Sequence, residues 1–143
     1  MSAITTEKQL LKMPKSAYMN TEQTAFFRHR LIALRDETLA HIEEVREQMT
    51  QGSSAGMDEV DQASREEMLN LQLRIIDRES KLLKKIAYSI KQIEDGLYGY
   101  CEETGEKIGL ERLLLRPTAT LCIDAKTMNE TFEKDYSDVR AEE

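Results

Sequence analysis

Between Met57 and Asp95 the chain contains neither glycine nor proline. Across that span and just past it, Leu69, Leu73, Ile76, Ser80, Leu83, Ala87, Ile90, Glu94 and Leu97 recur at spacings that alternate between four and three. A repeat of this kind draws one narrow seam along a long helix, and a narrow seam is buried by another helix laid along it. Ser80 and Glu94 are its polar interruptions. Toward the C-terminal end Leu82, Ile86 and Ile93 widen the stripe, as a third packing element would require. The partner lies upstream. In "NTEQ", Asn20 and Gln23 form a capping box, and Phe27, Leu31, Leu34, Ile42, Val45 and Met49 then return on one face. This predicts a first helix from about Thr21 to about Met49. "QGSSAG" supplies a turn, and the acidic "MDEVDQASREEM" suits the start of the second helix, where carboxylates meet the positive end of the helix dipole. At about 1.5 Å per residue the helices span roughly 45 and 55 Å. A short glycine-bearing turn makes them antiparallel neighbours. A compact chain of 143 residues would have a radius of gyration of only about 15 Å, so the tip of such a hairpin projects. It is either a plain spacer or a probe whose tip acts on something.

The rest of the chain is organised around that hairpin. Residues 1–19 form a short, weakly ordered arm, interrupted by Pro14 and without sustained periodicity. The hairpin occupies 20–96, with its tip at about 50–63. Residues 97–123 read as a small knuckle: "GLYGYCEETGEKIG" carries four glycines suited to tight turns or a small hairpin, and "LERLLLRPTATLCI" gives a short helical turn broken by Pro117 before an extended segment. Residues 124–143 form a final helix. The fold class is thus mainly α.

Charged residues make up 33% of the chain and aromatics 6%, with no tryptophan, which suits long helices better than a thick core. A net charge of −7 disfavours non-specific DNA binding, which needs clustered cations on phosphate. No apolar run reaches the roughly 18 residues of a membrane span, and the first twenty residues lack the basic-then-apolar order of a secretory leader. A cytoplasmic protein with reduced thiols is expected. No nucleophile–base grouping and no phosphate loop is present, so no enzyme is expected.

Each half of the knuckle carries one cysteine where a zinc knuckle carries two: Cys101 is followed three positions on by Thr104, and Cys122 by Ala125. Threonine is a poor zinc ligand and alanine is none, so no zinc is expected to be required. The apolar residues Leu97, Tyr98, Tyr100, Ile108, Leu110, Leu113, Leu121, Ile123 and Met128 are the expected replacement core. The two thiols are buried and inert, or a redox-sensing pair, or a residual metal site. His29 and His41, on the first helix, have no ligand-like spacing to them.

The stretches "DEVDQA", "DRESKLLKKI" and "GYCEETGEKIGLERLLLRPTATLCIDAKT" resemble the DksA/TraR family of bacterial transcription regulators, and within it the cysteine-poor, zinc-independent paralogues of DksA. The resemblance runs from about Tyr18 to the final helix. It implies a monomer that does not read promoter sequence. Such a protein enters the secondary channel of RNA polymerase and modulates the stability of promoter open complexes together with guanosine tetraphosphate (ppGpp). The family's tip pattern, D-x-x-D-x-A, stands here as Asp58, Asp61 and Ala63. Arg74, Arg78 and Lys81 are candidate polymerase contacts along the coil. They belong to a basic row with Lys84 and Lys85 whose bland alternative is surface ion pairs with Glu37, Glu43, Glu44 and Glu47, worth little. The residues matching the family's ppGpp site are Lys85, Arg116 and Lys126. Rival readings are a structural coiled-coil adaptor, separable by size in solution and polymerase co-purification, and a transcript-cleavage factor using the two tip carboxylates to hold Mg²⁺.

Overall fold

Asn20 caps the first long helix as its place in the sequence predicts: its side chain accepts the Gln23 N–H at 2.9 Å. Gln23, fully buried, accepts the Met19 N–H at 2.9 Å in return. The computed structural model describes residues 6–51 and 58–142, with side chains as far as Lys134. The elements are α1 (Glu7–Leu11), a 3₁₀ turn (Lys15–Ala17), α2 (Thr21–Thr50), α3 (Glu59–Glu94), α4 (Leu110–Leu115) and α5 (Ile123–Glu142). The turn expected at 52–57 lies outside the described residues. Among the described residues there is no β-strand, only an isolated antiparallel bridge between Tyr100 and Lys107, and no helix is long and apolar enough to cross a membrane.

The two long helices pack against each other in antiparallel sense: Phe27 and Leu31, early in α2, share a core with Ile86, Ile90 and Ile93, late in α3. On α2 the buried face is the expected one, and Thr38 fills its gap between Leu34 and Ile42. Its hydroxyl donates to the Leu34 carbonyl at 2.7 Å, so the buried oxygen is satisfied. On α3 half of the seam is displaced. Leu69, Ile76, Leu83 and Ile90 are half-buried as expected. The alternate positions slip by one: Gln72 and Ile86 are buried and Glu79 and Ile93 half-buried, whereas Leu73, Ala87 and Glu94 are exposed and Ser80 stays half-buried; Leu97, past the end of α3, is exposed too. The globule at the base takes up Leu82, Ile86 and Ile93. That fixes the rotation of α3 and turns Gln72 and Glu79 inward further along. His41 Nδ1 then lies 3.7 Å from Glu79 Oε2 across the seam.

The helix α3 ends in a hydrogen-bonded reversal. Gly96, at φ 76°, lets the Leu97 N–H reach the Gln92 carbonyl at 2.9 Å and its own N–H reach Ile93 at 3.2 Å. The chain then enters the base globule, whose core is Leu10, Phe27, Leu31, Ile86, Tyr98, Cys101, Ile108, Leu113, Cys122 and Ala125, with Leu110 and Leu121 packed against it. Four residues expected in this core are exposed: Leu97, Tyr100, Ile123 and Met128. In their place the core takes both thiols, the Ala125 methyl and Leu10.

Leu10 marks a second departure from expectation. From Thr6 on, the N-terminal arm is docked, not weakly ordered. Thr6 caps α1 by accepting the Gln9 N–H at 3.3 Å, and Leu10 is fully buried. Tyr18 anchors the arm's far end. Its hydroxyl donates to the Gly99 carbonyl at 2.5 Å and accepts the Gly109 N–H at 3.0 Å. Its ring stands edge-on to Tyr100 at 5.7 Å and lies 5.2 Å from the Lys107 ammonium. Burial holds the Tyr18 phenol above its usual value, against the opposing hydrogen bonds from the Gly109 and Ile108 backbone, so it stays a donor.

Candidate functional site

Lys84, Lys85 and Tyr88 share a face near the end of α3, at helical spacings of three and four. Arg112 and Arg116, also four apart, come from α4 and its C-terminal cap. Lys126 lies in the first turns of α5. With Thr118, Ala119, Thr120 and Leu121 these residues line one open cleft of about 440 Å³. The three residues singled out from the sequence as a set, Lys85, Arg116 and Lys126, therefore converge from three elements far apart in the chain. The structure adds Lys84 and Arg112 as cations and Tyr88 as an aromatic wall. The i, i+4 pairs Lys84–Tyr88 and Arg112–Arg116 are signals in the sequence that could have found them.

Several contacts hold the walls. Arg112 Nε donates to the Leu121 carbonyl at 3.0 Å, and Lys126 Nζ lies 3.8 Å from Glu130 on the next turn of its helix. The Tyr88 hydroxyl donates to the Glu102 carboxylate. That hydrogen bond is the main reason the Tyr88 phenol is raised above its ordinary value. Glu102 in turn donates its N–H to the Thr120 carbonyl at 3.0 Å. Five cations, two threonines and one aromatic ring make a site for a polyanion, with charge-assisted hydrogen bonds to phosphate-like oxygens and a fork geometry from each arginine.

The tip lies at the other end of α3, about 36 Å from Lys85 to Asp61 at the helical rise. Asp58 caps α3, its carboxylate accepting the Asp61 N–H at 2.8 Å. Asp61 lies in the first helical turn, and Asp58, Asp61 and Ala63 are all exposed. Between tip and cleft, Arg74, Arg78 and Lys81 are exposed on α3. Among the described residues none of this row pairs with Glu37, Glu43, Glu44 or Glu47. Lys81 instead pairs with Asp77 at 3.0 Å on its own helix, and Arg78 lies 3.9 Å from its neighbour Glu79.

Cys101, Thr104, Cys122 and Ala125 do come together in the knuckle. Thr104 Oγ1 is 3.8 Å from Cys122 Sγ, and both cysteines are buried and free of disulfides. A structural zinc needs four donors in a tetrahedron. Here two sulfurs are accompanied by a hydroxyl bonded to one of them and by a methyl buried in the core. Among the described residues no group of three His, Cys, Asp or Glu side chains is placed to replace the missing donors. The four positions do not fit the metal. The tight turn around Cys101 survives: Gly105 donates its N–H to the Cys101 carbonyl at 2.9 Å. Burial pushes the Cys101 thiol up. Hydrogen bonds from the Thr104 hydroxyl and from the backbone of Cys122, Thr104 and Glu103 outweigh this and bring it down to about 6.

The family described as DnaK suppressor protein DksA, N-terminal domain, matches residues 23–93, and the prokaryotic dksA/traR C4-type zinc finger matches residues 96–127. The RNA polymerase-binding transcription factor DksA of Escherichia coli strain K12 is 44% identical over 124 residues, covering 87% of this chain and 82% of that protein. The protein of that description from Caulobacter vibrioides strain NA1000 / CB15N is 40% identical over 121 residues, 85% of each. The solved structure of transcription factor DksA2 from Pseudomonas aeruginosa aligns with a TM-score of 0.77 at 49% identity, covering 90% of this chain and 99% of that one.

Proposed function

Because this chain belongs to the DksA/TraR family, we propose that it is an RNA polymerase-binding transcription regulator. It works by passing the α2–α3 hairpin through the polymerase's secondary channel and modulating open-complex stability together with ppGpp. It acts as a monomer, as a binding protein and not an enzyme. The observation that carries the ppGpp part is the convergence of Lys85, Arg116 and Lys126 on one cleft. A nucleotide with two pyrophosphate groups offers charges that five cations can divide among themselves. The cleft is open on one side, so polymerase supplies the other wall when the regulator is docked. Asp58 and Asp61, at the far end of α3, are then the part that meets the active-site region.

In vitro transcription from a ribosomal promoter tests the effector site. Lys126→Ala removes one cation, and a charge-assisted hydrogen bond is worth about 1.5–3 kcal/mol. The variant is expected to need at least tenfold more ppGpp for the same inhibition, while its ppGpp-independent effect persists. An unchanged ppGpp dependence would remove the cleft from the mechanism.

The same reading holds that the protein needs no zinc. Structural zinc supplies on the order of 10 kcal/mol in small finger peptides. Here the knuckle instead buries Tyr98, Ile108 and Leu113 against Phe27, Leu31 and Ile86 of the hairpin base. A strong chelator is expected to leave the helical circular dichroism, the thermal midpoint and the transcriptional effect unchanged. Loss of structure on chelation would refute this.

A further inference from the structure

The cleft is not uniform. Its cations come from Lys84, Lys85, Arg112, Arg116 and Lys126, whereas its aromatic wall, Tyr88, is tied by its hydroxyl to a carboxylate, Glu102. A phosphate group is repelled from the Glu102 end and drawn toward the cations. What suits the Tyr88 end is a flat, uncharged group that can lie on an aromatic ring. Tyr88 is about half exposed, so its ring is available, and the Glu102 bond restricts its orientation before anything binds. The raised phenol keeps its proton at neutral pH and maintains that bond. Resting on the assignment of the cleft to ppGpp, we propose that Tyr88 is the base-reading residue of this site: the guanine stacks on the Tyr88 ring while the phosphates lie among the lysines and arginines. The regulator would then select nucleoside polyphosphates over bare polyphosphates of equal charge, and Glu102 would act as a positioning residue through Tyr88.

The test compares binding of labelled ppGpp and of inorganic tripolyphosphate to the regulator–polymerase complex, each measured as binding in excess of that shown by polymerase alone. Base–aromatic stacking supports a loss of about tenfold or more when the ring is removed. Tyr88→Leu is therefore expected to weaken ppGpp binding about tenfold and to leave tripolyphosphate within about twofold of wild type. Tyr88→Phe, which keeps the ring and drops the Glu102 bond, is expected to fall between wild type and Tyr88→Leu for ppGpp. Wild-type affinity for ppGpp in Tyr88→Leu overturns the stacking role, as does an equal loss for both ligands, which would mark a merely structural contribution. If the wild-type complex binds no more ppGpp than polymerase alone, the cleft assignment fails and the stacking role fails with it. Excess binding lost in Arg116→Ala but kept in Tyr88→Leu would leave the cleft in place and remove only the base reader.

Discussion

An Asp61→Asn protein is expected to fold as the wild type does and to lose regulation at a ribosomal promoter, with its effect on open-complex lifetime cut tenfold or more. The separation of stability from function is what gives this substitution its value. Asp61 is exposed in the first turn of α3, and its backbone N–H donates to the Asp58 carboxylate. Asparagine keeps that N–H, the shape and the exposure, and removes only the charge. The cost to folding is the lost attraction between a carboxylate and the helix N-terminus, about 0.3–1 kcal/mol. Asp58 gives a less clean experiment, because its side chain is the cap itself, and Asp58→Ala would cost about 0.5–2 kcal/mol of helix stability along with any loss of contact. Circular dichroism and thermal unfolding check the fold, and open-complex half-life checks the function. If Asp61→Asn shortens open-complex lifetime as well as wild type, the tip carboxylate is not the working part, and the hairpin reverts to a spacer or adaptor.

How much of this architecture was legible beforehand depends on the length scale of the signal. The hairpin was, because two faces of long helices repeat often enough for periodicity to speak, and α2 runs Thr21–Thr50 where the capping box and the apolar face predict about Thr21 to about Met49. The rotation of α3 was only half legible. Periodicity favours the register in which the four-three spacing runs unbroken, so it took Leu73 rather than Gln72 and carried on to Ala87, although the adjacent Ile86 is the more apolar. The packed base instead fixes Ile86 and Ile93, and the polar Gln72 and Glu79 follow them inward. The arm was illegible for the opposite reason. One buried leucine and one tyrosine with two long-range hydrogen bonds hold it, and neither leaves a periodic trace. The same holds for the knuckle. Residue type suggested Leu97, Ile123 and Met128 for its core, but in turns it is backbone direction that decides which side chains point inward, and the thiols and Ala125 were the ones enclosed. At the cleft, helical spacing is a signal that could have placed Tyr88 beside Lys84 and Lys85, but the basic row alone does not reveal it, while the arrival of Arg116 and Lys126 opposite them was implied by resemblance and is a matter of tertiary structure.

The docked arm makes a second substitution with a large expected effect. Gly99 has φ 90°, in the region that favours glycine. A Cβ built there would lie 2.7 Å from Met19 Cγ, 2.8 Å from Met19 Sδ and 3.2 Å from the Tyr18 hydroxyl oxygen. The two neighbours differ in how they give way. The Tyr18 hydroxyl is held by the Gly99 carbonyl and the Gly109 N–H together, whereas the flexible Met19 side chain can move, but only by leaving its packing against the core. Gly99→Ala therefore combines a left-handed backbone penalty of about 1–2 kcal/mol with an overpacking cost of about 1–3 kcal/mol. A loss of about 2–5 kcal/mol is a large part of what a domain of this size has. Gly96→Ala is the internal control. Gly96 has a similar φ of 76°, but a Cβ there meets nothing within 4 Å, so only the backbone penalty applies. In urea unfolding the Gly99→Ala midpoint is expected to fall well below that of Gly96→Ala, and the difference reports the contact between arm and knuckle directly. Equal midpoints for the two variants would mean that Tyr18 and Met19 retreat freely, and that the arm is not a structural part of the base on which the cleft is built.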